Sequence, residues 1–461
     1  MKKQKYIIIT AVAAGFMMGG CNIYRPYSRP EMNTQGLYRD TLSMADTLKS
    51  DTVNMGDLPW KEIFKDTKLQ SLIEAGLANN IDLQTALLRV EESRAQLMSS
   101  RLAYLPSLNF APSGTVSSFD KAKATQTYQL PVVASWELDL SGKLLNAKRG
   151  AKAAFMQSES YRQYVQTQVI AGIANTYYTL LMLDRQLEIS QTTVEKWKES
   201  VETMRALKLA GSLNEAAVVQ GEANYYAVST TIPDLLAQIR STENALCLLL
   251  GEAPHKVGRG TIGGQVMPEM LSVGIPAQLL SNRPDVKAAE MALAVTSANT
   301  NVARAGFYPQ LTLSANGGWV NSAGTAIFNP AKIIASATAS LVQPLFNRGA
   351  NLARLRVAKA QQEEARLAFQ NSILAAGNEV NDALFQYKAS TDKSGFREKQ
   401  VYALELSVDY TTQLLKLSNA TYLEVLTAQQ SLLSAQLSQV SDNLQRMQSV
   451  VSLYQALGGG R

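Results

Sequence analysis

Leu130-Pro131-Val132-Val133-Ala134-Ser135-Trp136-Glu137-Leu138-Asp139-Leu140, followed by Ser141-Gly142-Lys143, decides how this chain folds. Val132, Ala134, Trp136, Leu138 and Leu140 alternate with Val133, Ser135, Glu137 and Asp139, so an extended backbone has one apolar face and one increasingly polar face. Three further stretches share the rhythm. Leu311, Leu313, Ala315 and Trp319 alternate with Thr312, Ser314, Asn316 and Gly318, and Ala335, Ala337, Ala339 and Leu341 alternate with Ser336, Thr338 and Ser340. The weakest sets Leu108 and Phe110 against Ser107 and Asn109, with Pro112 and Gly114 interrupting. Strands are expected at about 105–118, 127–140, 308–320 and 332–345. A half-buried strand of a water-soluble sandwich looks the same, so the compartment of the chain decides between the two readings.

Lys2, Lys3 and Lys5 precede an apolar run from Ile7 to Met18, too short to span a bilayer and suited to a signal peptide over residues 1–20. The run ends at Met18-Gly19-Gly20-Cys21. Small residues before a lone early cysteine resemble the bacterial lipobox, in which the thiol is acylated and the cysteine becomes the mature N-terminus. Met18 stands where leucine is usual, and an ordinary signal peptide with an incidental cysteine is the alternative. Asn22, rather than aspartate, follows Cys21, which leaves outer-membrane delivery open. Residues 21–60, rich in Arg, Pro, Asp, Ser and Thr, read as a lipidated extended segment.

Without the three signal lysines the formal charge of +6 falls to about +3, and no basic block survives, which argues against nucleic acid as a partner. Cys247 is the only other cysteine, so acylation of Cys21 leaves no intrachain disulfide. After Cys21 no uninterrupted apolar stretch approaches ~18 residues, so the mature chain can cross a membrane only as strands. In an exported chain, four two-faced strands favour the membrane.

Outward from the strands the period lengthens. Leu180, Leu183, Leu187, Val194, Trp197, Val201 and Met204 form one narrow apolar seam, and Phe369, Ile373, Ala376, Val380, Leu384 and Tyr387 form another. No proline or strong turn cluster interrupts about 147–209 or 351–417, which predicts helices roughly 90 Å long with coiled-coil-like packing. Ser212-Leu213-Asn214-Glu215 and Thr421-Tyr422-Leu423-Glu424 read as capping boxes, with Ser212 and Thr421 as hydroxyl caps and Glu215 and Glu424 as their carboxylates. Gly211 and Asn419 suit the preceding turns. Two long helical hairpins are expected, at about 147–250 and 351–457; four separate helices of a large α domain are the alternative.

These segments are written twice. Tyr104-Leu105-Pro106-Ser107-Leu108 returns as Phe307-Tyr308-Pro309-Gln310-Leu311 at a displacement of 203, Ser212 to Glu215 answers Thr421 to Glu424 at 209, and Leu250-Gly251 answers Leu457-Gly458 at 207. A period this long is duplication of a domain-sized unit. The organisation expected is a first structural repeat over 61–256, a linker or equatorial segment over 257–283, and a second repeat over 284–461.

Four strands cannot close a barrel, and an open edge in lipid leaves unpaired backbone groups that cost several kcal/mol each. Neighbouring chains must supply the rest: two copies would give eight strands and three would give twelve, and a water-filled conduit prefers twelve. The fold class expected is therefore an α+β membrane protein with a two-fold internal repeat.

Strand pairs between long hairpins in an exported lipoprotein resemble the TolC-like outer membrane factors, the exit ducts of tripartite efflux pumps. The lipidated branch associated with resistance-nodulation-division transporters is the nearest in pattern. The resemblance covers nearly the whole mature chain. It rests on Leu280-Ser281-Asn282-Arg283-Pro284-Asp285-Val286, Trp136-Glu137-Leu138-Asp139-Leu140, Gln343-Pro344-Leu345-Phe346, Tyr422-Leu423-Glu424-Val425-Leu426 and Ala456-Leu457-Gly458-Gly459-Gly460. It implies a homotrimer with a twelve-strand barrel in the outer membrane, continuous with a long periplasmic α-helical coiled-coil barrel. The partners it implies are a periplasmic adaptor and an inner-membrane transporter of that class, with outer membrane lipid around the barrel.

In the family the periplasmic tips gate the tunnel through leucine, aspartate and arginine on successive turns. Leu423 keeps the leucine, while Thr427 and Gln430 replace the charged pair, so a hydrogen-bonded or apolar constriction is expected here. Ordinary helix packing at the same spacing is the bland alternative for these three residues.

Catalysis finds no support. His255 is the single histidine and lies in a turn sequence, and none of the common metal, thiol, serine-nucleophile or phosphate-loop motifs occurs. No enzyme activity, cofactor or metal site is expected. Glu91-Glu92 and Glu363-Glu364 read as solvated helix faces. Rival functions are the outlet of another export system and a structural periplasmic coiled-coil lipoprotein.

Overall fold

The computed structural model describes residues 24, 26–31, 37, 55–120, 124–266, 282–322, 333–417 and 421–460. The signal peptide, Cys21, most of the extended segment, positions 267–281 of the linker and Asn419 lie outside them. In chain order the helices are α1 (Trp60–Ile63), α2 (Thr67–Asn79), α3 (Ile81–Leu102), α4 (Lys143–Leu209), α5 (Glu215–Leu250), α6 (Pro284–Ala305), α7 (Ala350–Lys416) and α8 (Tyr422–Ala456). The strands are β1 (Ser107–Phe110), β2 (Ser113–Ser117), β3 (Thr125–Leu138), β4 (Gln310–Ser322) and β5 (Ile333–Val342). Two compact units cut across the sequence repeats. One gathers residues 1–32, 89–159 and 288–371; the other gathers 33–88, 160–287 and 372–461.

In the first unit the strands form one antiparallel sheet in which β3 pairs with β4 and β4 with β5, while β1 and β2 follow one another along the free side of β3. The single strand expected at 105–118 is thus two. Pro112 has no N–H to offer the ladder, and the Ala111 N–H still donates to the Pro131 carbonyl at 3.0 Å across the break. The expected end of β3 at position 140 also moves back, because the Asp139 carboxylate accepts from the N–H groups of Leu144 and Leu145 at 3.1 and 2.8 Å and caps α4 instead. Gly142 makes that corner with φ +68°. A Cβ on Gly318 would collide with the Leu130 carbonyl, so the close approach of β4 to β3 requires glycine there. In the same unit α6 lies against the first turns of α4 and α7: Ala298 faces Gly150, and Thr300 Oγ1 donates to the Ala358 carbonyl at 3.1 Å.

The second unit is helical. Its core joins Leu69 and Ile73 of α2, Ile170, Ile173, Tyr177, Leu180 and Leu181 of α4, Leu246 and Leu250 of α5, and Ile373, Ala376 and Val380 of α7 with Val450, Val451 and Leu453 of α8, all nearly inaccessible to water. α4 and α7 are 67 residues each, about 100 Å at 1.5 Å per residue.

Both repeats close in the same way. Asn80 Nδ2 donates to the Leu249 carbonyl at 2.8 Å, and Arg283 Nη1, 203 positions on, donates to the Ala456 carbonyl at 3.0 Å. Gly251 and Gly458 both have positive φ, and a Cβ on either would press on the carbonyl of Asn79 or of Asn282, at 2.5 and 2.7 Å. Duplicated sequence has kept a duplicated joint.

Candidate functional site

The pairing register gathers most of the apolar residues of the strands on one face. Leu108, Ala134, Ala315 and Ala337 stand in one row; Phe110, Val132, Gly317 and Ala335 in another; Leu138, Leu311 and Leu341 in a third. Between them run Ser107, Ser135, Ser314 and Thr338, and Asn109, Val133, Asn316 and Ser336, facing the other way. Ser336 Oγ donates to Asn316 Oδ1 at 2.6 Å on this polar face. The apolar face is left uncovered by the described residues: Leu108 is 70% exposed, Phe110 65% and Leu341 63%. An apolar patch of this kind on a folded sheet calls for lipid or protein against it. Trp136 completes the pattern, its indole N–H bonded to the Tyr104 carbonyl at 2.8 Å while its ring stays on the apolar face.

At the far ends of the long hairpins the turns differ from their expected form. Gly211, with φ +73°, donates to the Lys208 carbonyl at 3.0 Å and Ser212 to the Leu207 carbonyl at 2.9 Å, the paired bonds of a Schellman ending. Ser212 is therefore the last act of α4, not the cap of α5. Asn214 is the cap, its Oδ1 accepting from the Ala217 N–H at 3.0 Å, and Glu215, now the first residue of α5, pairs with Lys208. Thr421 does sit at the cap position of α8, but its hydroxyl donates to Glu424 Oε1 at 3.2 Å and accepts no backbone N–H. The two side chains therefore bond to each other rather than forming a reciprocal box with the backbone.

Leu423, Thr427 and Gln430 share one exposed stripe of α8, Leu423 being 64% exposed, while Tyr422, Val425, Leu426 and Ala428 are buried on the other side. Thr427 Oγ1 donates to the Leu423 carbonyl at 2.8 Å, which leaves its lone pairs as the polar feature it presents outward. The buried side joins Tyr422 and Leu426 to Trp197, Met204 and Val218, with Leu207, Leu213, Tyr225, Val228 and Leu415 around them. Tyr422 also donates to the Ser200 carbonyl at 3.3 Å. The two tips of one chain are fastened together.

Farther along, charges that the sequence presents as scattered are gathered into clasps. Asp442 of α8, 3% exposed, accepts from Lys393 Nζ at 2.5 Å and Arg397 Nε at 2.8 Å, both on α7. Burial pushes its carboxyl up, but the two cations outweigh that and hold it below the ordinary range. Arg259 takes the Asp184 carboxylate at 2.5 and 2.8 Å together with Glu243, and these partners hold its guanidinium above its ordinary pKa against the opposing effect of burial. Asp66 accepts from Tyr177 at 2.6 Å, Gln265 at 2.7 Å and the Lys68 N–H at 2.8 Å, which overcomes burial and lowers its pKa. Asn214 was visible as a good capping residue one step before Glu215. The Asp442 clasp was not, because its partners lie 45 or more positions away and read as solvated charges.

His255 touches Cys247, Nδ1 to Sγ at 3.5 Å, and among the described residues no group of three His, Cys, Asp or Glu side chains could hold a metal ion. No helix among the described residues is long and apolar enough to cross a membrane.

A model of the outer membrane efflux protein family matches residues 72–252 and again 275–459, two stretches whose first residues lie 203 positions apart. The cation efflux system protein CusC of Escherichia coli is 28% identical over 444 residues, 96% of this chain and 96% of that protein. The probable outer membrane lipoprotein SilC of Salmonella typhimurium is 27% identical over 469 residues, 100% of this chain and 99% of that protein. The solved structure of the outer-membrane channel OprN aligns with a TM-score of 0.86 at 25% identity, over 95% of this chain and 99% of that one. With its two-faced sheet and paired long hairpins, the chain belongs to the outer membrane efflux protein family and is an outer membrane efflux channel.

Proposed function

We propose that three copies of this chain close a twelve-strand barrel in the outer membrane and a helical tunnel beneath it, forming the exit duct of a tripartite efflux pump. The observation that carries this is the two-faced sheet, open at β5 on one side and at β1 and β2 on the other. Lipid takes the apolar face, water takes the Ser, Thr and Asn face, and a neighbouring copy takes each edge, since an unpaired edge in hydrocarbon costs several kcal/mol per group. Acylation of Cys21 adds an anchor. A periplasmic adaptor and an inner-membrane resistance-nodulation-division transporter supply the energy and select the cargo, because a lumen of small polar side chains discriminates little. No catalytic chemistry enters.

Leu423, Thr427 and Gln430 form the constriction at the periplasmic tips. Three copies of Leu423 would make an apolar ring, with the Thr427 and Gln430 rings beyond it offering hydrogen bonds and no fixed charge. The test is purification as a detergent-stable trimer followed by single-channel recording in planar bilayers. Discrete conductance is expected, raised severalfold by Leu423→Ser. Monomers without conductance would remove the duct reading, and an unchanged Leu423→Ser conductance would move the gate elsewhere.

A further inference from the structure

The two hairpins are duplicates, yet their return helices are built differently at matching places. α5 carries Pro233 in its interior, at the level that Val440 to Asp442 hold in α8, 207 to 209 residues on. Proline has no N–H for the Ser229 carbonyl, and its ring crowds that carbonyl, so the helical ladder lacks a bond there and is weakest against bending. The residues just before it add to the effect. Ser229, Thr230 and Thr231 donate their hydroxyls back to the carbonyls of Tyr225, Ala227 and Val228 at 2.7, 2.9 and 2.8 Å, bonds that compete with the ladder and favour bending.

The matching level of the second hairpin is braced. Asp442 ties α8 to Lys393 and Arg397 of α7, and Gln445 Nε2 reaches Gln386 Oε1 at 3.1 Å one turn away. Gly395, the weakest helix former in that part of α7, lies between Lys393 and Arg397, so the clasp splints it. In the first hairpin the residue 207 positions before Asp442 is Leu235, which can make no such tie.

Pro233 also lies between two fastenings of α5. Toward the base, Glu243 is held by Arg259, and Leu246 and Leu250 are buried; toward the tip, Val218 sits in the cluster with Met204, Tyr422 and Leu426. Displacing the tips therefore strains α5 between a fixed end and a moving end. Flexing a ladder that already lacks a bond is far easier than separating a buried carboxylate from two cations.

From this contrast we infer that the first hairpin bends at Ser229–Pro233 while the second moves as a stiff rod, the shared tip cluster making the first tip follow the second. The inference rests on the reading of the tips as the gate and assigns the two repeats unequal mechanical roles.

Hydrogen exchange read by mass spectrometry, on the full-length acylated protein in lipid nanodiscs, tests it. Amide protection over 227–236 should be about tenfold lower than over 436–445, and Pro233→Ala should raise it by about tenfold. Asp442→Leu should move low protection into α8. In planar bilayers Pro233→Ala should open less often, at unchanged unit conductance. Equal protection along the two helices, or no response to Pro233→Ala, overturns the hinge. Absence of wild-type conductance with the exchange contrast intact would remove the channel reading and leave the hinge standing.

Discussion

The Arg283 guanidinium donates from Nε and Nη2 to Asp285 at 3.0 and 2.6 Å, and from Nη1 to Glu379 at 2.6 Å and to the Ala456 carbonyl at 3.0 Å. One side chain, 6% exposed, thereby joins the start of α6 to the middle of α7 and the end of α8. Burial opposes its charge, and the Asp285 and Glu379 carboxylates more than restore it, leaving the pKa above its ordinary value. Asn80 performs the reduced version in the first repeat, bonding the Leu249 carbonyl and accepting from the Leu83 N–H at 3.0 Å without ionic partners. The two substitutions should differ accordingly. Arg283→Met leaves the buried Ala456 carbonyl without its donor and the partly exposed Asp285 and Glu379 carboxylates without their cation, and should destabilise by about 2–3 kcal/mol. Asn80→Ala removes a cap and one carbonyl bond and should destabilise by about 1–2 kcal/mol. Thermal unfolding in detergent, followed by circular dichroism, should give a clearly lower midpoint for Arg283→Met; equal midpoints would mean that the carboxylates contribute nothing.

At the scale of elements, what the sequence made legible was periodicity, and what it hid was competition between neighbours for the same atoms. The alternation at Val132 to Leu138 survives in the sheet because pairing register and side-chain period share the number two, so one strand's apolar set aligns with the next. The seam residues Leu180, Trp197 and Met204 are buried for the same kind of reason at helical spacing. Ser212 failed because the end of α4 had already claimed its backbone N–H, a contest that composition does not display. Asp139 went to the helix rather than to the strand because two free N–H groups lay within its reach. The tip residues Leu423, Thr427 and Gln430 were named from the resemblance to the family's tip pattern, and spacing shows only that they share a helix face, whereas the Asp442 clasp required knowing which helix lies opposite. The corrected tip is testable. Asn214→Ala should cost α5 about 1 kcal/mol, seen as faster hydrogen exchange in its first turn, while Ser212→Ala should be near neutral. The reverse order would restore Ser212 as the cap.

For the whole molecule the decisive quantity of the proposed assembly is the number of chains that would share one barrel. Each chain brings a sheet with β5 at one edge and β1 and β2 at the other, so every added copy repeats the same junction, and the assembly ends only when the last edge meets the first. Two copies would give an eight-strand barrel whose interior side chains largely fill; three would leave a lumen lined by the rows that hold Ser314, Asn316, Ser336 and Thr338. Asn109 near one edge and Ser336 near the other both face that side, in the same row of the sheet. In a Cys247→Ser background, which removes the buried free thiol, an Asn109→Cys and Ser336→Cys chain treated with a flexible bis-maleimide should join each copy to its neighbours across the junction. A denaturing gel should then show a ladder of covalent dimer and trimer that stops at three. A ladder that stops at two would make the barrel eight-stranded and dimeric, too narrow for a solute duct, and one that continues past three would mean that the edges join without closing.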